Sequence, residues 1–162
     1  HALVEAHGGQ IVAENRGDRP GARVSVSLPK GLGLRANPRK RVLIVDDEPD
    51  LLQVYKDKIE MLGVDTIAVT SACEARIALR EQQPDLVILD LDMPEENGLQ
   101  FLASYFKENI QPPPVYVFTG KMCDTEHVDE ARRLGAVEIF NKSTDDKRLL
   151  ESISRVITGS TG

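Results

Sequence analysis

From Arg41 onward the sequence repeats one pattern five times: a short apolar run, then an amphipathic stretch. The runs are "VLIVD" (42–46), "VDTIAV" (64–69), "LVILD" (86–90), "VYVFT" (115–119) and "VEIFN" (137–141). Short apolar runs rich in β-branched residues read as strands. After the first, Leu51, Leu52, Tyr55, Ile59 and Leu62 fall at helical spacing, and Gly63 ends the stretch. Further helices are expected over 72–82, 97–108, 125–134 and 145–158. Strict alternation of strand and helix predicts a parallel sheet with helices on both faces. Runs one, three and four are continuously apolar, as strands covered on both faces are. Run two carries Asp65 and Thr66, and run five carries Glu138 and Asn141, so these two are expected at the edges. A doubly wound α/β sheet of five parallel strands in the order 2-1-3-4-5 satisfies these constraints.

In such a sheet, ligands bind beyond the carboxyl ends of the strands, at the topological switch point. Strand one ends in Asp46-Asp47, strand three in Asp90 and strand four in Thr119-Gly120, and Lys142 follows strand five at once. In the expected order these ends are neighbours. Three carboxylates, a hydroxyl and an ammonium then meet at one edge. Clustered carboxylates raise one another's pKa unless a positive group sits among them. Lys142 is one such group, and a hard divalent cation is another. Mg²⁺ favours one or two carboxylates together with waters and phosphate oxygens. A site of this kind suits phosphoryl transfer, which rests on positioning and on neutralising spread charge. An aspartate can itself be the acceptor, forming an acyl phosphate. Run three continues as "LVILDLDMPEENG" (86–98). Residues two apart in a strand share a face, so an extended chain here would bring Asp90 and Asp92 close together.

Residues 41–158 resemble a response regulator receiver domain, the phospho-accepting module of two-component signalling. The resemblance rests on "VDDE" (45–48), "LDLDMP" (89–94), "FTG" (118–120) and "NKS" (141–143), in the family's order and with ordinary spacing. It implies a flavodoxin-like receiver fold over 41–160. It implies that Asp90 takes a phosphoryl group from a kinase phospho-histidine. The domain would then switch conformation or pass the group to a histidine phosphotransfer domain. Asp47 would bind Mg²⁺ directly, with Mn²⁺ as a substitute, and Asp46 would bind it through water. Asp90 and the backbone carbonyl of Asp92 complete the implied metal set. Lys142 would neutralise the acceptor and then the phosphoryl group. Thr119 and the backbone N–H of Gly120 would hold a phosphoryl oxygen. Two positions depart from the family pattern: Ser143 stands where proline usually follows the lysine, and Ile139, beside Phe140, stands where an aromatic switch residue is usual. Lys121 is expected to pair with Asp92 across the mouth of the site and tune hydrolysis.

Two other readings compete. A haloacid dehalogenase-like phosphatase also begins with a strand ending in Asp-x-Asp, with Asp90 as nucleophile and Asp92 as acid/base. That family places its acidic pair at a strand end after the lysine. Here Asp46-Asp47 come first, and Asp145-Asp146 are expected to open a helix. The other reading is a degenerate receiver that only binds a partner, which the full set of chemical residues disfavours. Asp46 or Asp47 as a plain helix cap, Thr119 as an ordinary strand residue and Asn97-Gly98 as a turn are the structural alternatives. The joint placement at neighbouring strand ends is what favours function.

The chain changes character before residue 41. "HALVEAH" reads as a helix end stopped by Gly8-Gly9, "QIVAEN" as a strand, "RGDRPGA" as a turn and "RVSVSL" as a second strand. Two strands and a helix end cannot bury a core of their own. Residues 1–28 resemble the C-terminal tail of the ATPase domain of a sensor histidine kinase, carried by "VEAHGG" and the strand after it. The family's nucleotide-binding motifs are missing, so ATP binding is not expected. Activity is expected to be confined to the domain's own aspartyl phosphorylation and dephosphorylation. Residues 29–40, "PKGLGLRANPRK", read as a linker. Tail, linker and receiver together imply a fragment of a hybrid histidine kinase, and the chain starts at His1 rather than Met. The tail's strand edges are expected either to pair in a homodimer or to stay disordered.

A formal net charge of −6 argues against nucleic acid or an anionic membrane as the main partner. No apolar run approaches a membrane span, so a cytoplasmic fragment without membrane contact is expected, whatever anchors the parent. Cys73 and Cys123 have neither zinc nor disulfide spacing. His1, His7 and His127 lack the context of a phospho-histidine and read as surface residues.

Overall fold

A computed structural model describes residues 10–15, 22–27, 39–108, 112–120 and 125–159. The chain divides into two units, His1–Pro38 and Arg39–Gly162. In the first, β1 (Gln10–Asn15) and β2 (Ala22–Ser27) pair antiparallel, with Gln10 opposite Ser27 and Asn15 opposite Ala22. Both expected strands are therefore present. The expected helix end, and most of the linker with its glycine pair, lie outside the described residues.

In the second unit the chain runs β3 (Arg41–Val45), α1 (Pro49–Glu60), β4 (Asp65–Val69), α2 (Ala72–Gln82), β5 (Leu86–Leu89), α3 (Gly98–Glu108), β6 (Val115–Thr119), α4 (Thr125–Arg133), β7 (Glu138–Asn141) and α5 (Asp146–Thr158). All five strands are parallel, in the spatial order β4-β3-β5-β6-β7. This is the order 2-1-3-4-5, with the two polar runs at the edges as expected.

Side-chain alternation sorts the core onto two faces. Leu43, Val45, Val87, Leu89, Val115, Val117 and Ile139 point to one side and pack against α2, α3 and α4 through Ala75, Phe101, Leu102 and Ala131. Val42, Ile44, Leu86, Ile88, Tyr116, Phe118 and Phe140 point to the other and pack against α1 and α5 through Leu52, Tyr55, Ile59, Leu149 and Ile153.

Local chemistry explains where the helices begin. Pro49 occupies the first turn of α1, where its missing N–H is not needed. Ser71 caps α2 by accepting from the Glu74 N–H at 3.2 Å, while Glu74 accepts from the Thr70 N–H at 2.9 Å. Asn97 and Gln100 form a reciprocal capping box at α3: the Gln100 N–H donates to Asn97 Oδ1 at 2.9 Å and the Asn97 N–H to Gln100 Oε1 at 3.3 Å. No helix among the described residues is long and apolar enough to cross a membrane.

Candidate functional site

The register of the sheet places the chemical residues. Val45 pairs with Leu89, so Asp46 and Asp90 leave adjacent strands at the same level. The Asp90 N–H donates to the Val45 carbonyl at 2.9 Å, extending the ladder one step beyond both strands. Thr119 pairs with Asn141 at the ends of β6 and β7, and the Lys142 N–H donates to the Thr119 carbonyl at 3.1 Å. Lys142 is thereby aimed back over the sheet edge.

Its ammonium meets three carboxylates. Lys142 Nζ lies 2.7 Å from Asp46 Oδ2, 2.9 Å from Asp90 Oδ2 and 3.3 Å from Glu48 Oε1. Asp46 and Asp90 are buried, while Glu48 is exposed. Asp46 Oδ1 accepts from the Glu48 N–H at 3.0 Å, which fixes the turn into α1. Neither acid of the pair caps α1 by its side chain: the cap position is Glu48, and no side-chain cap bond forms there. Burial pushes the Asp46 carboxyl above the usual carboxylate range, against the opposing pull of Lys142. Burial would lower the Lys142 ammonium, but its contacts with Asp46 and Asp90 outweigh this and raise it. The lysine therefore stays charged at any physiological pH.

One lysine does not neutralise the group. Single carboxylate oxygens of Asp46, Asp47 and Asp90 all lie within 4.8 Å of one another. Asp90 Oδ1 is buried with no hydrogen-bond partner. A buried carboxylate oxygen without a donor is costly, and a hard cation beside Asp46 and Asp47 would satisfy it. Oxygen donors in this arrangement fit Mg²⁺, which takes few carboxylates and keeps waters.

Asp90 and Asp92 have different partners. β5 ends at Leu89, so both aspartates lie in the loop beyond it, where strand alternation no longer holds. Asp90 turns inward to Lys142. Asp92, half-buried, accepts from Thr119 Oγ1 at 3.4 Å. Thr119 is fully buried. Gly120 is exposed, and Lys121 lies outside the described residues. Ile139 is buried against α2, α3 and α4, while Phe140 is buried on the opposite face beneath the Arg148 guanidinium, 4.7 Å from its centroid.

Several contributors were not evident from the sequence. Gly98 reads as half of a turn, yet a Cβ there would collide with the backbone of Asp90 and Leu91. Its N–H donates to the Leu91 carbonyl at 3.0 Å, closing the loop that carries both aspartates. Eight residues after Asp90, this glycine lets α3 start against the Asp90 backbone. Asn141 organises the turn around Ser143: its Oδ1 accepts from the Ser143 N–H at 2.7 Å, and its N–H donates to Asp145 Oδ2 at 2.9 Å. No cis peptide bond occurs among the described residues. His127 lies exposed on α4, yet it lines a groove of about 470 Å³ together with Asp47, Asp92 and Asn97. The late acidic pair required by a phosphatase is engaged elsewhere. Asp146 is held by Lys58 at 2.8 and 3.0 Å, and Asp145 accepts from Arg148 at 3.2 Å.

Comparison with known proteins agrees with this geometry. The model of the response regulator receiver domain family matches residues 42–154, a span that contains every residue of the cluster. Protein PilH of Pseudomonas aeruginosa is 30% identical over 120 residues, covering 74% of this chain and 98% of PilH. The chemotaxis protein CheY of Thermotoga maritima is 32% identical over 118 residues, covering 72% of this chain and 97% of CheY. The chain spans about half, 51%, of a longer relative, the probable C4-dicarboxylate response regulator DctR of Halalkalibacterium halodurans. The crystal structure of a response regulator receiver protein from Pseudomonas putida matches with a TM-score of 0.68 at 27% identity, over 76% of this chain and 99% of that one. With five parallel strands in the order 2-1-3-4-5 and an acidic cluster at their carboxyl ends, the chain belongs to the response regulator receiver domain family.

Proposed function

We propose that this receiver domain accepts a phosphoryl group on Asp90 in a Mg²⁺-dependent step. The observation that carries the proposal is the state of the Asp90 carboxylate. One oxygen is held by Lys142 at 2.9 Å, and the other is buried and unpaired within reach of Asp46 and Asp47. Attack by this carboxylate forms an O–P bond as the donor's P–N bond breaks, and the electron pair stays on the imidazole nitrogen of the donor histidine. Lys142 holds the acceptor in place and offsets the charge that moves onto the phosphoryl oxygens. Mg²⁺, held by Asp46, Asp47, Asp90 and the Asp92 carbonyl, would supply further neutralisation of those oxygens. Thr119, now bonded to Asp92, would exchange that partner for a phosphoryl oxygen, so that chemistry at Asp90 moves the end of β6.

Receiver domains interact with histidine kinases or phosphotransfer proteins. For this chain the donor is read as a kinase phospho-histidine and the recipient as a histidine phosphotransfer domain, within a hybrid kinase. The β1–β2 hairpin supports reading residues 1–28 as the end of a kinase ATPase domain. Incubation with acetyl phosphate and Mg²⁺, read by intact mass, tests the acceptor chemistry. One phosphate per chain is expected, absent in Asp90→Asn and after chelation. Failure of the wild-type chain to gain phosphate from this donor and from a phosphorylated histidine domain would leave a receiver that only binds a partner. Sustained turnover of a generic phosphate ester, dependent on Asp92, would overturn the proposal in favour of a phosphatase.

A further inference from the structure

The loop between β5 and α3 carries Asp92 and is held from outside the site. Arg76, in the middle of α2, reaches across to Glu96 with two parallel bonds: Nη1 to Oε2 at 2.8 Å and Nη2 to Oε1 at 2.8 Å. Nη2 also donates to Ser104 Oγ on α3 at 2.6 Å, and the guanidinium lies 5.0 Å from the Phe101 ring centroid. Ser104 Oγ in turn donates to the Phe101 carbonyl at 2.9 Å. The planar fork of an arginine thus locks α2, the loop and the first turns of α3 together.

The loop needs such a hold. Glu95, next to Glu96, has φ of 67°, a left-handed conformation that a side chain with a Cβ adopts at a cost. The Glu96 N–H closes a tight turn onto the Pro94 carbonyl at 2.9 Å. Leu91 and Met93 are anchored in the core, the neck is closed by Gly98, and Glu96 is the outward anchor. Asp92 sits between these fixed points, facing Thr119.

The geometry points to Arg76 and Glu96 as positioning residues for the metal end of the site. By holding the strained turn they set where the Asp92 backbone and carboxylate lie. Their bonds described above run to one another and to Ser104, away from the clustered carboxylates. This inference rests on the Mg²⁺-dependent reading above and deepens it. A purely structural bridge on this surface would change stability slightly and leave the metal untouched. Both side chains are about one-third exposed, so the stability effect is small.

The test is calorimetric titration of Mg²⁺ alone into wild type, Arg76→Ala, Glu96→Gln and the charge-swapped double variant Arg76→Glu/Glu96→Arg. Hydrogen exchange over residues 91–98 is measured in parallel. Loss of one bidentate, partly exposed pair should weaken Mg²⁺ binding on the order of three- to tenfold in either single variant. The half-saturating Mg²⁺ for phosphorylation should rise by the same factor, with the rate at saturating Mg²⁺ unchanged, and exchange in the loop should accelerate. The charge swap should recover part of the affinity. Wild-type Mg²⁺ affinity in both single variants, while the wild-type chain still takes phosphate, overturns the positioning role alone. A wild-type chain that neither binds Mg²⁺ nor takes phosphate overturns the functional reading and this inference with it.

Discussion

Two lysines in this molecule meet aspartates at nearly the same distances, in contacts of opposite character. Lys142 meets Asp46 at 2.7 Å and Asp90 at 2.9 Å, with side-chain exposures of 13%, 4% and 2%. Lys58 on α1 meets Asp146 at the start of α5 at 2.8 Å, with exposures of 38% and 43%. The surface pair is balanced, one charge against one, and it ties two helices on the same face of the sheet. The Lys58 ammonium also lies 4.9 Å from the Tyr55 ring centroid, and the Tyr55 ring meets Phe118 edge-on at 4.7 Å. The buried group is not balanced. Asp46, Asp47 and Asp90 face a single ammonium, with Glu48 at its margin. Identical chemistry serves as a clamp where water shares the charge. Where water is excluded, it stores unfavourable charge that a cation or a phosphoryl group can relieve.

The contrast is broken most severely by Lys142→Met. Stranding buried carboxylates costs about 3 kcal/mol, so chemical denaturation in chelator should show a loss of that order. Phosphoryl uptake should fall by about 100-fold or more, as when a charge-stabilising group is removed from a transition state. The converse change is Asp46→Asn. The raised carboxyl of Asp46 means that its ionised form opposes folding at neutral pH, and that this opposition fades as pH falls through the folded-state pKa. Removing the charge should stabilise the metal-free fold by roughly 0.5–2 kcal/mol, while the Mg²⁺-induced rise in Tm seen in wild type disappears. A lower Tm for this variant in chelator would mean that the cluster is not under charge stress.

The surface pair should respond more weakly. Asp146→Asn is expected to cost no more than about 1 kcal/mol at neutral pH. The Lys58 contact, opposed by partial burial, holds the Asp146 carboxyl below its usual range. Its contribution is therefore complete above the usual carboxylate range and is lost as pH falls through the depressed value. Stability against pH, compared between wild type and Asp146→Asn, should converge in acid and separate above it. The smallest effect is that of salt. At about 1 M NaCl screening acts over about 3 Å, so the Lys58–Asp146 coupling in a double-mutant cycle should vanish while the Lys142–Asp90 coupling persists.

The sheet and the centre of the site were legible because both follow from strand periodicity. Continuous apolar runs marked β3, β5 and β6 as central, and polar residues marked β4 and β7 as edges. A doubly wound sheet then leaves its carboxyl ends as the place where Asp46, Asp90 and Lys142 converge. The same periodicity does not reach Asp92. It assumes an extended chain, and β5 ends at Leu89, three residues earlier. What stayed hidden depends on side chains that meet across the fold. Arg76 and Glu96 are twenty residues apart and on different elements, so no local pattern joins them. Gly98 looked like a turn residue because its real constraint is the Asp90 backbone, which only the packed α3 brings close. Asn141 read as a polar strand end, whereas its side chain shapes the turn that aims Lys142.

Burial and an unpaired oxygen favour Asp90, and not Asp92, as the proposed acceptor. Borohydride reduction of the chain after treatment with acetyl phosphate and Mg²⁺ converts an aspartyl phosphate to homoserine, which peptide mass mapping locates. Homoserine is expected at position 90, with intact aspartate at position 92. Homoserine at position 92 with intact aspartate at position 90 would contradict it.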